Sequence, residues 1–296
     1  MIALGEVSQG LRGRGAMGEN GKRTTKRKRV GYLHGFTAKE RQRLHEQARV
    51  LEPWIYDRLP FSRCRELLEV GSGVGAQTSI LLRLFPETRV TCVERSKTQV
   101  TEAKAHLPKV PWAKGRFTLV EEDATSLSFD RDTFDGAFIC WLLEHVSDPA
   151  RILGETRRVL KPGAPIIATE VLNATFFLEP YSPRTLDYYR AFNDHQIKLG
   201  GDPFVGAKLG NLLQAVGFSD IQTRMKVAHF DSRQPAERAD FLKYWTELLL
   251  SGAPGLIHAK KVSTEHVEGM RRELETVARD PQAVFFYAFV QAEARA

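Results

Sequence analysis

Stretches with the pattern of buried strands alternate with stretches of helical pattern through the middle of this chain, and this alternation restricts the fold more than any other feature. The strand-like runs are short and apolar, at residues 66–70, 89–93, 117–120, 134–139 and 165–169. Helical patterns lie between most of them, at 75–85, 96–106 and 148–160. This alternation predicts an α/β fold: a doubly wound, mostly parallel sheet with helices on both faces.

A further helix is predicted before the first strand. Thr37 and Glu40 form a capping box, in which a hydroxyl and a carboxylate satisfy the backbone N–H groups at a helix start. Apolar residues then recur at helical spacing, so we expect a helix over 38–59 that Pro60 ends.

Two long segments interrupt the alternation and are predicted to join this helix in a helical cap. Both are rich in aromatic residues, and long excursions between sheet elements are often lids or binding segments. The predicted domain has a core over 65–173, 205–230 and 282–292 and a cap over 31–62, 174–204 and 231–281.

The positive charge of the chain is concentrated at its N-terminus. The 296 residues have a formal net charge of +7. Residues 1–30 contain eight Lys or Arg against two Glu, which leaves 35 basic and 34 acidic residues in 31–296. We therefore predict a basic, disordered tail over 1–30 and a nearly neutral domain over 31–296, for which nucleic acid is not the expected partner.

Cysteine spacing and hydropathy indicate where such a chain resides. Cys64, Cys92 and Cys140 are widely spaced and show neither a CxxC pair nor metal-ligand spacing. No apolar run approaches the roughly 18 residues that a membrane span needs. We expect a cytoplasmic protein with free thiols, without a metal site and without a membrane partner.

The strongest chemical signal is the glycine loop Glu69-Val70-Gly71-Ser72-Gly73-Val74-Gly75, at the point where a strand becomes a helix. Glycines let the backbone turn tightly and approach a ligand closely. Glu94 follows 19 residues after Gly75, at the end of the second strand, and an acid there suits the two hydroxyls of a ribose. A dinucleotide and S-adenosylmethionine both remain candidate ligands at this point.

Glu69 is expected to distinguish these two ligands. A carboxylate beside the loop would repel the pyrophosphate of a dinucleotide. S-adenosylmethionine carries no phosphate, and an acid would attract its ammonium and sulfonium groups. Asp123, at the end of the third strand, can accept a hydrogen bond from the exocyclic amine of adenine.

With these residues in view, the chain resembles the class I S-adenosylmethionine-dependent methyltransferases, in particular the ubiquinone/menaquinone-biosynthesis and natural-product branch with its methyltransferase type 11-like domain. The resemblance covers roughly residues 65–228. Its motifs here are LLEVGSGVGAQT, VTCVERS, EEDATSL, FDGAFICWLLEHV and RRVLKPGAPIIATE, in that order. The resemblance also implies an antiparallel last strand in the Rossmann-like sheet.

The resemblance implies a cofactor, S-adenosyl-L-methionine, and the residues that bind it. Glu69, Gly71 and Gly73 would face its methionine part, Glu94 the ribose, and Asp123 the adenine. The full predicted set is Tyr32, Glu69, Gly71, Ser72, Gly73, Gly75, Gln77, Glu94, Arg95, Asp123, Ala124, Cys140 and Trp141. Trp141 could equally be core packing, and Tyr32 could instead pack against Phe36 in a hydrophobic staple.

The predicted reaction is methyl transfer to an O, N or C nucleophile of a small, aromatic or hydrophobic molecule. His145 is the candidate base. The predicted substrate-binding residues are Tyr181, Tyr188, Tyr189, His195 and Trp245, in the cap. The cap is also where we expect a homodimer to form. Two alternatives remain: an RNA or protein methyltransferase that uses the basic tail, and a cofactor-binding regulatory protein without turnover.

Overall fold

The computed structural model describes residue 34 and residues 38–296. The predicted tail over 1–30, together with Tyr32, Phe36 and the capping residue Thr37, lies outside the described residues.

The described chain alternates strands and helices as predicted from residue 66 onward. Its strands are β1 (Glu66–Val70), β2 (Arg89–Glu94), β3 (Phe117–Glu121), β4 (Gly136–Cys140), β5 (Pro165–Val171), β6 (Phe177–Glu179), β7 (Ser219–Phe230) and β8 (Val284–Arg295). Its α-helices are α1 (Ala38–Ile55), α2 (Ala76–Leu84), α3 (Lys97–His106), α4 (Pro149–Val159), α5 (Pro183–Leu199), α6 (Leu209–Ala215), α7 (Pro235–His258) and α8 (Thr264–Arg279).

These strands form one mixed sheet in the order β3-β2-β1-β4-β5-β8-β6, and β7 pairs along the other edge of β8. The first five strands are parallel to one another, whereas β8 runs antiparallel to β5, β6 and β7. The predicted Rossmann-like α/β fold with an antiparallel last strand is therefore confirmed.

Apolar side chains cover both faces of the sheet, which is why its central strands read as continuous apolar runs. On one face, Leu67 and Phe138 belong to a core with α1, α2 and the cap. On the other face, Leu68 and Ile139 pack with α4 and α6. Side chains that alternate along β1 and β4 thus enter two separate cores.

The predicted helical cap is also present. Helices α1, α5, α7 and α8 pack against one another on one side of the sheet. Their boundaries depart from the sequence prediction in two respects. The first helix ends at Ile55, not at residue 59, because Pro53 weakens its last turn and Arg58 has a positive φ of 57°. The segment 174–204, which showed no clear pattern, contains β6 and α5.

Among the described helices, none combines the length and the apolar composition that a membrane crossing requires.

One buried arginine holds three loop carbonyls at the base of the cap. Arg238, in the first turn of α7, is 1% exposed. It donates to the carbonyl oxygens of Asp231 (2.8 Å) and Ala283 (2.7 Å) and to that of Asp280. It therefore ties α7 to the end of α8 and to the start of β8.

Replacing Arg238 by alanine is expected to lower the free energy of unfolding by about 3 kcal/mol, because three carbonyls lose a charged donor inside the protein. Urea denaturation measures this loss. Arg233→Ala is the matched control: Arg233 is exposed, and the hydrogen bonds it makes to described residues all go to Asp231, so its loss should lower stability far less. Equal losses in the two variants would contradict the assignment.

Candidate active site

A cavity of about 640 Å³ opens over the carboxyl ends of the five parallel strands. This is the edge at which open α/β sheets bind ligands. Helix α1 and the cap helices α5 and α7 form its opposite wall. Of the predicted site residues, the cavity wall contains Gly71, Ser72, Gly73, Gln77, Glu94, Arg95, Asp123, Ala124, Cys140, Trp141, His145, Tyr189 and Trp245.

The glycine loop forms the floor of the cavity next to β1. Gly71 and Gly73 have positive φ angles of 76° and 54°. A Cβ atom on Gly71 would lie 2.9 Å from the side chain of Leu142, so this position has no room for a larger residue. The backbone N–H groups of Gly71 and Ser72 donate to the carbonyl of Val93, which fixes the loop to the end of β2. Gly75 caps α2 and lies outside the cavity wall.

Glu94 is held by the glycine loop. One carboxylate oxygen accepts a hydrogen bond from the N–H of Gly73 (3.1 Å) and the other from the N–H of Ser96 (2.6 Å). Burial raises the pKa of this carboxyl group, and the two N–H groups oppose that rise. Each oxygen has further acceptor capacity, so a cavity ligand with two neighbouring hydroxyls could bind here.

Glu69 does not line the cavity, contrary to the sequence prediction. Its side chain is 2% exposed and turns towards α2, where it accepts a hydrogen bond from Thr78 Oγ1 (2.5 Å). Burial raises its pKa from 4.5 to about 8. The structure therefore does not place a charge of Glu69 in the cavity: the group lies beneath the loop, where burial favours its neutral form.

The end of β3 contributes the next part of the wall. Asp123 and Ala124 line the cavity together with Glu121 and Glu122. Asp123 Oδ1 accepts a hydrogen bond from the N–H of Thr125 (2.9 Å), which orients the carboxylate at the turn.

The turn after β4 places Trp141 and His145 in the cavity, and the buried carboxyl group of Glu170 holds this turn. Glu170, near the end of β5, is 0% exposed. It accepts hydrogen bonds from the N–H groups of Leu142 (3.0 Å), Leu143 (2.7 Å) and Glu144 (3.2 Å). Burial, and then the nearby Glu144, raises its pKa to about 8. The sequence analysis did not identify Glu170.

His145 lies in a polar cluster that the sequence predicted only in part. Its Nε2 is 3.6 Å from Oε1 of Glu144, which also lines the cavity. Its ring is 6.1 Å from that of His34, and His34 Nδ1 is 2.6 Å from the hydroxyl of Ser251. Burial, then Arg43 and His145, lowers the pKa of His34 well below its usual range.

Helix α1 adds a buried ion pair that the sequence analysis also missed. Arg43 lines the cavity and donates two hydrogen bonds to Glu40, at 2.8 and 2.7 Å. A third bond joins it to Oε1 of Gln47 (2.6 Å), another residue of the wall. The ExxR spacing, one helical turn, was the only signal available for this pair.

Three of the predicted substrate residues lie elsewhere. Tyr181 is 74% exposed and lies near α8, away from the cavity. Tyr188 is buried, and its hydroxyl donates to the carbonyl of Leu249 (2.6 Å), so its role is in cap packing. His195 lies on α5 beyond the cavity wall. Phe192 and Tyr244 of the cap, together with Tyr287 of β8, line the cavity in their place.

Two comparisons with sequences identify the domain. Residues 68–168 match the family model described as a methyltransferase domain. The ubiquinone/menaquinone biosynthesis C-methyltransferase UbiE of Syntrophotalea carbinolica is 29% identical over 46% of this chain and 54% of its own length. The O-methyltransferase cnsE of Penicillium expansum is 30% identical over 55% of each chain. The chain thus spans about half the length of the curated relatives it matches.

Solved structures share the fold at low sequence identity. A protein described as a methyltransferase, in complex with the Haloferax volcanii Trm112 methyltransferase activator, aligns over 87% of this chain and 94% of its own, with a TM-score of 0.54 and 15% identity. The phosphoethanolamine N-methyltransferase 2 of Haemonchus contortus aligns over 86% and 52%, with a TM-score of 0.50 and 19% identity. Residues 68–168 thus match a methyltransferase domain by sequence, and the glycine loop and most of the parallel part of the sheet lie in that same stretch of the chain.

Proposed function

We propose that the protein transfers a methyl group from S-adenosylmethionine to an O, N or C nucleophile of a small aromatic or hydrophobic molecule. One observation carries the proposal. A single cavity joins a polar end, at the glycine loop and Glu94, to an aromatic end, at Tyr189 and Trp245. A methyl donor and an organic acceptor could therefore lie in contact.

The polar end suits the donor in three respects. Gly71 and Gly73 bring the loop backbone to the cavity without a side chain. The buried hydroxyl of Ser72 makes no hydrogen bond to the described residues, so a ligand can supply its partner. Glu94 presents oriented carboxylate oxygens that a ribose diol would bridge. We assign Glu94 to the ribose, Asp123 and Ala124 to the adenine, and Gly71–Gly73, Gln77 and Arg43 to the amino-acid part.

The bound donor would supply an electrophilic methyl group on a sulfonium. The protein then has to hold the acceptor in line with that methyl group and exclude water. Cys140 and Trp141 lie where β4 ends, and we place the methyl group beside them. Tyr189 and Trp245 would hold the acceptor, and His145 would take a proton where the acceptor releases one. The homodimer through the cap stays a prediction.

Glu94→Ala is expected to weaken the binding of S-adenosylhomocysteine by about 2 kcal/mol, roughly 30-fold, because two hydrogen bonds to a charged group are lost. Titration calorimetry measures the change. The matched control is Glu87→Ala, since Glu87 is exposed and pairs with Arg65 far from the cavity. The affinity of this variant for S-adenosylhomocysteine should stay within twofold of the wild type.

Two results would count against the proposal. Wild-type protein that binds NAD and does not bind S-adenosylhomocysteine would overturn the donor assignment. An unchanged dissociation constant in Glu94→Ala would overturn the ribose assignment alone. Incubation of the protein with labelled S-adenosylmethionine and a metabolite pool then tests for transfer to a small molecule.

A further inference from the structure

Aromatic rings enclose the end of the cavity that we assign to the acceptor. They are contributed by the turn after β4 and by α5, α7 and β8, and we call them the aromatic wall: Trp141, Tyr189, Phe192, Tyr244, Trp245 and Tyr287. The ring of Tyr189 is 6.3 Å from Phe192 and 6.1 Å from Trp245, which is 4.7 Å from Tyr287. Four of its six rings, those of Tyr189, Phe192, Trp245 and Tyr287, therefore form a connected set. Such a set binds flat molecules, and it also binds cations.

One carboxylate, that of Glu144, lies at this aromatic wall. Glu144 is 8% exposed and lines the cavity. Its Oε2 accepts a hydrogen bond from Nε2 of Gln196 (2.8 Å), a neutral donor. Burial, and after it the charge of Glu144, raises the pKa of Tyr189, so the negative field of Glu144 reaches the wall. A buried carboxylate of this kind favours a positive group in the adjoining space.

No arginine or lysine of the described cavity wall forms an ion pair with Glu144, although the charge of Arg43 also acts on Tyr244. Arg43 is engaged bidentately with Glu40 on its own helix. Arg95 and Lys97, the other two Lys or Arg residues in the described cavity wall, follow β2 beside Glu94, at the donor end. The imidazole of His145 is a basic group 3.6 Å from the Glu144 carboxylate. The acceptor end therefore combines π surfaces with a negative charge.

We propose that the acceptor is an amine and that the reaction at the aromatic wall is N-methylation, an inference that rests on the proposed function. The lone pair of the amine nitrogen forms the new N–C bond while the S–C bond breaks and its electron pair stays on sulfur. Positive charge thus passes from sulfur to nitrogen. Glu144 and the aromatic wall stabilise that charge on the nitrogen, whereas the same carboxylate would repel a phenolate or an enolate.

The pair of Glu144 and His145 can also remove a proton from the amine. Alkylamines are mostly protonated in neutral water and must lose a proton before they attack carbon. The imidazole of His145 can accept that proton, and the carboxylate of Glu144, 3.6 Å away, stabilises the resulting imidazolium. A tertiary amine yields a quaternary product without further proton transfer. Primary and secondary amines release one more proton from nitrogen after methyl transfer.

A pair of isosteric probes separates charge from shape. 4-Hydroxyphenyltrimethylammonium resembles a methylated product, and 4-tert-butylphenol has the same shape without the charge. We expect the wild-type protein to bind the cation about tenfold more tightly than the neutral phenol, measured by titration calorimetry with and without S-adenosylhomocysteine. Glu144→Gln should remove most of this preference. Glu237→Gln, which changes a charge on the exposed face of α7, should keep it.

Each outcome decides the proposal. Tighter or equal binding of 4-tert-butylphenol by the wild-type protein overturns it, and this comparison does not depend on whether a variant folds. A cation preference that survives unchanged in folded Glu144→Gln also overturns it, because the carboxylate would then have no part in recognition. If the wild-type protein prefers the cation but does not bind S-adenosylhomocysteine, the proposed function is contradicted. The recognition of positive charge at the aromatic wall is then still supported.

Discussion

Replacing Glu170 by alanine is expected to lower the free energy of unfolding by about 4 kcal/mol and to loosen the turn that carries Trp141 and His145. Three backbone N–H groups, those of residues 142–144, would lose their acceptor in a buried place, and each orphaned donor costs about 1 to 3 kcal/mol. Urea denaturation at pH 6.5 gives the stability. Amide hydrogen exchange of residues 142–144 should become about 100-fold faster.

Glu170→Gln is the matched variant for this test. Its amide oxygen can still accept the hydrogen bonds from Leu142 and Leu143, and only the N–H of Glu144 loses its acceptor, so stability should fall by about 1 to 3 kcal/mol, less than in Glu170→Ala. If Gln and Ala variants lose equal stability, or if exchange at residues 142–144 is unchanged in Glu170→Ala, the carboxyl group does not hold the turn. Glu170 is a positioning residue in this account, because it acts on the cavity only through the backbone.

The stability of the protein is expected to fall as the pH rises from about 7 to 8, above the range in which histidines with a lowered pKa, such as His34 and His45, oppose this trend. Burial is the main reason that the pKa of Glu69 is raised from 4.5 to about 8 in the folded protein, and that of Glu170 likewise reaches about 8. Between pH 4.5 and about 8 these carboxyl groups have lost their protons in the unfolded chain but retain them in the folded chain, so their contribution to the free energy of unfolding decreases as the pH rises. Each carboxyl contributes a slope of up to about 1.4 kcal/mol per pH unit.

Glu69→Gln should reduce this slope and make the protein several kcal/mol more stable than the wild type at pH 8. The glutamine amide can still accept the hydrogen bond from Thr78, so little packing is lost at pH 5. Denaturation midpoints measured between pH 5 and 8 provide the test, with exposed Glu237→Gln as the control. Equal slopes between pH 7 and 8 in the wild type and in Glu69→Gln would show that Glu69 does not retain its proton in the folded state.

The glycine loop and Glu94 could be predicted because their positions follow from local sequence. The first strand leads into two glycines with positive φ, and the second strand ends at an acid. The hydrogen bond from the N–H of Gly73 to Glu94 holds the glycine loop and this acid in place relative to each other. The direction of Glu69 could not be predicted. Both faces of β1 are buried, so alternation of polar and apolar residues gives no sign of which face a side chain joins.

The cap shows why predictions outside the repeated pattern failed. Tyr188 and Tyr189 were both expected at the substrate, but they are consecutive on α5, and consecutive helical side chains diverge by about 100°. One of them can face the cavity only if the other faces away. The sequence of 174–204 does not mark it as a helix, so the divergence of Tyr188 and Tyr189 could not be predicted from it.

Glu170 and the pair of Arg43 and Glu40 escaped prediction for a different reason. Each is a charged residue in a run that otherwise reads as ordinary strand or amphipathic helix. The role of Glu170 depends on the N–H groups of a turn that lies 26 to 28 residues earlier in the chain. The role of Arg43 depends on its burial by other elements. Such contacts arise only after the sheet and the cap have come together.

The placement of β8 has a consequence for how the chain is made. It pairs with β5, β6 and β7, and Gln291 bonds to Thr169, which lies 122 residues earlier. During synthesis, the backbone groups of β5 that pair with β8 therefore have no partner strand until residues 284–295 have been made. Nascent chains with such an open edge fold slowly and associate readily with one another. We expect production of the protein to depend on chaperones and on temperature more than its final stability would suggest.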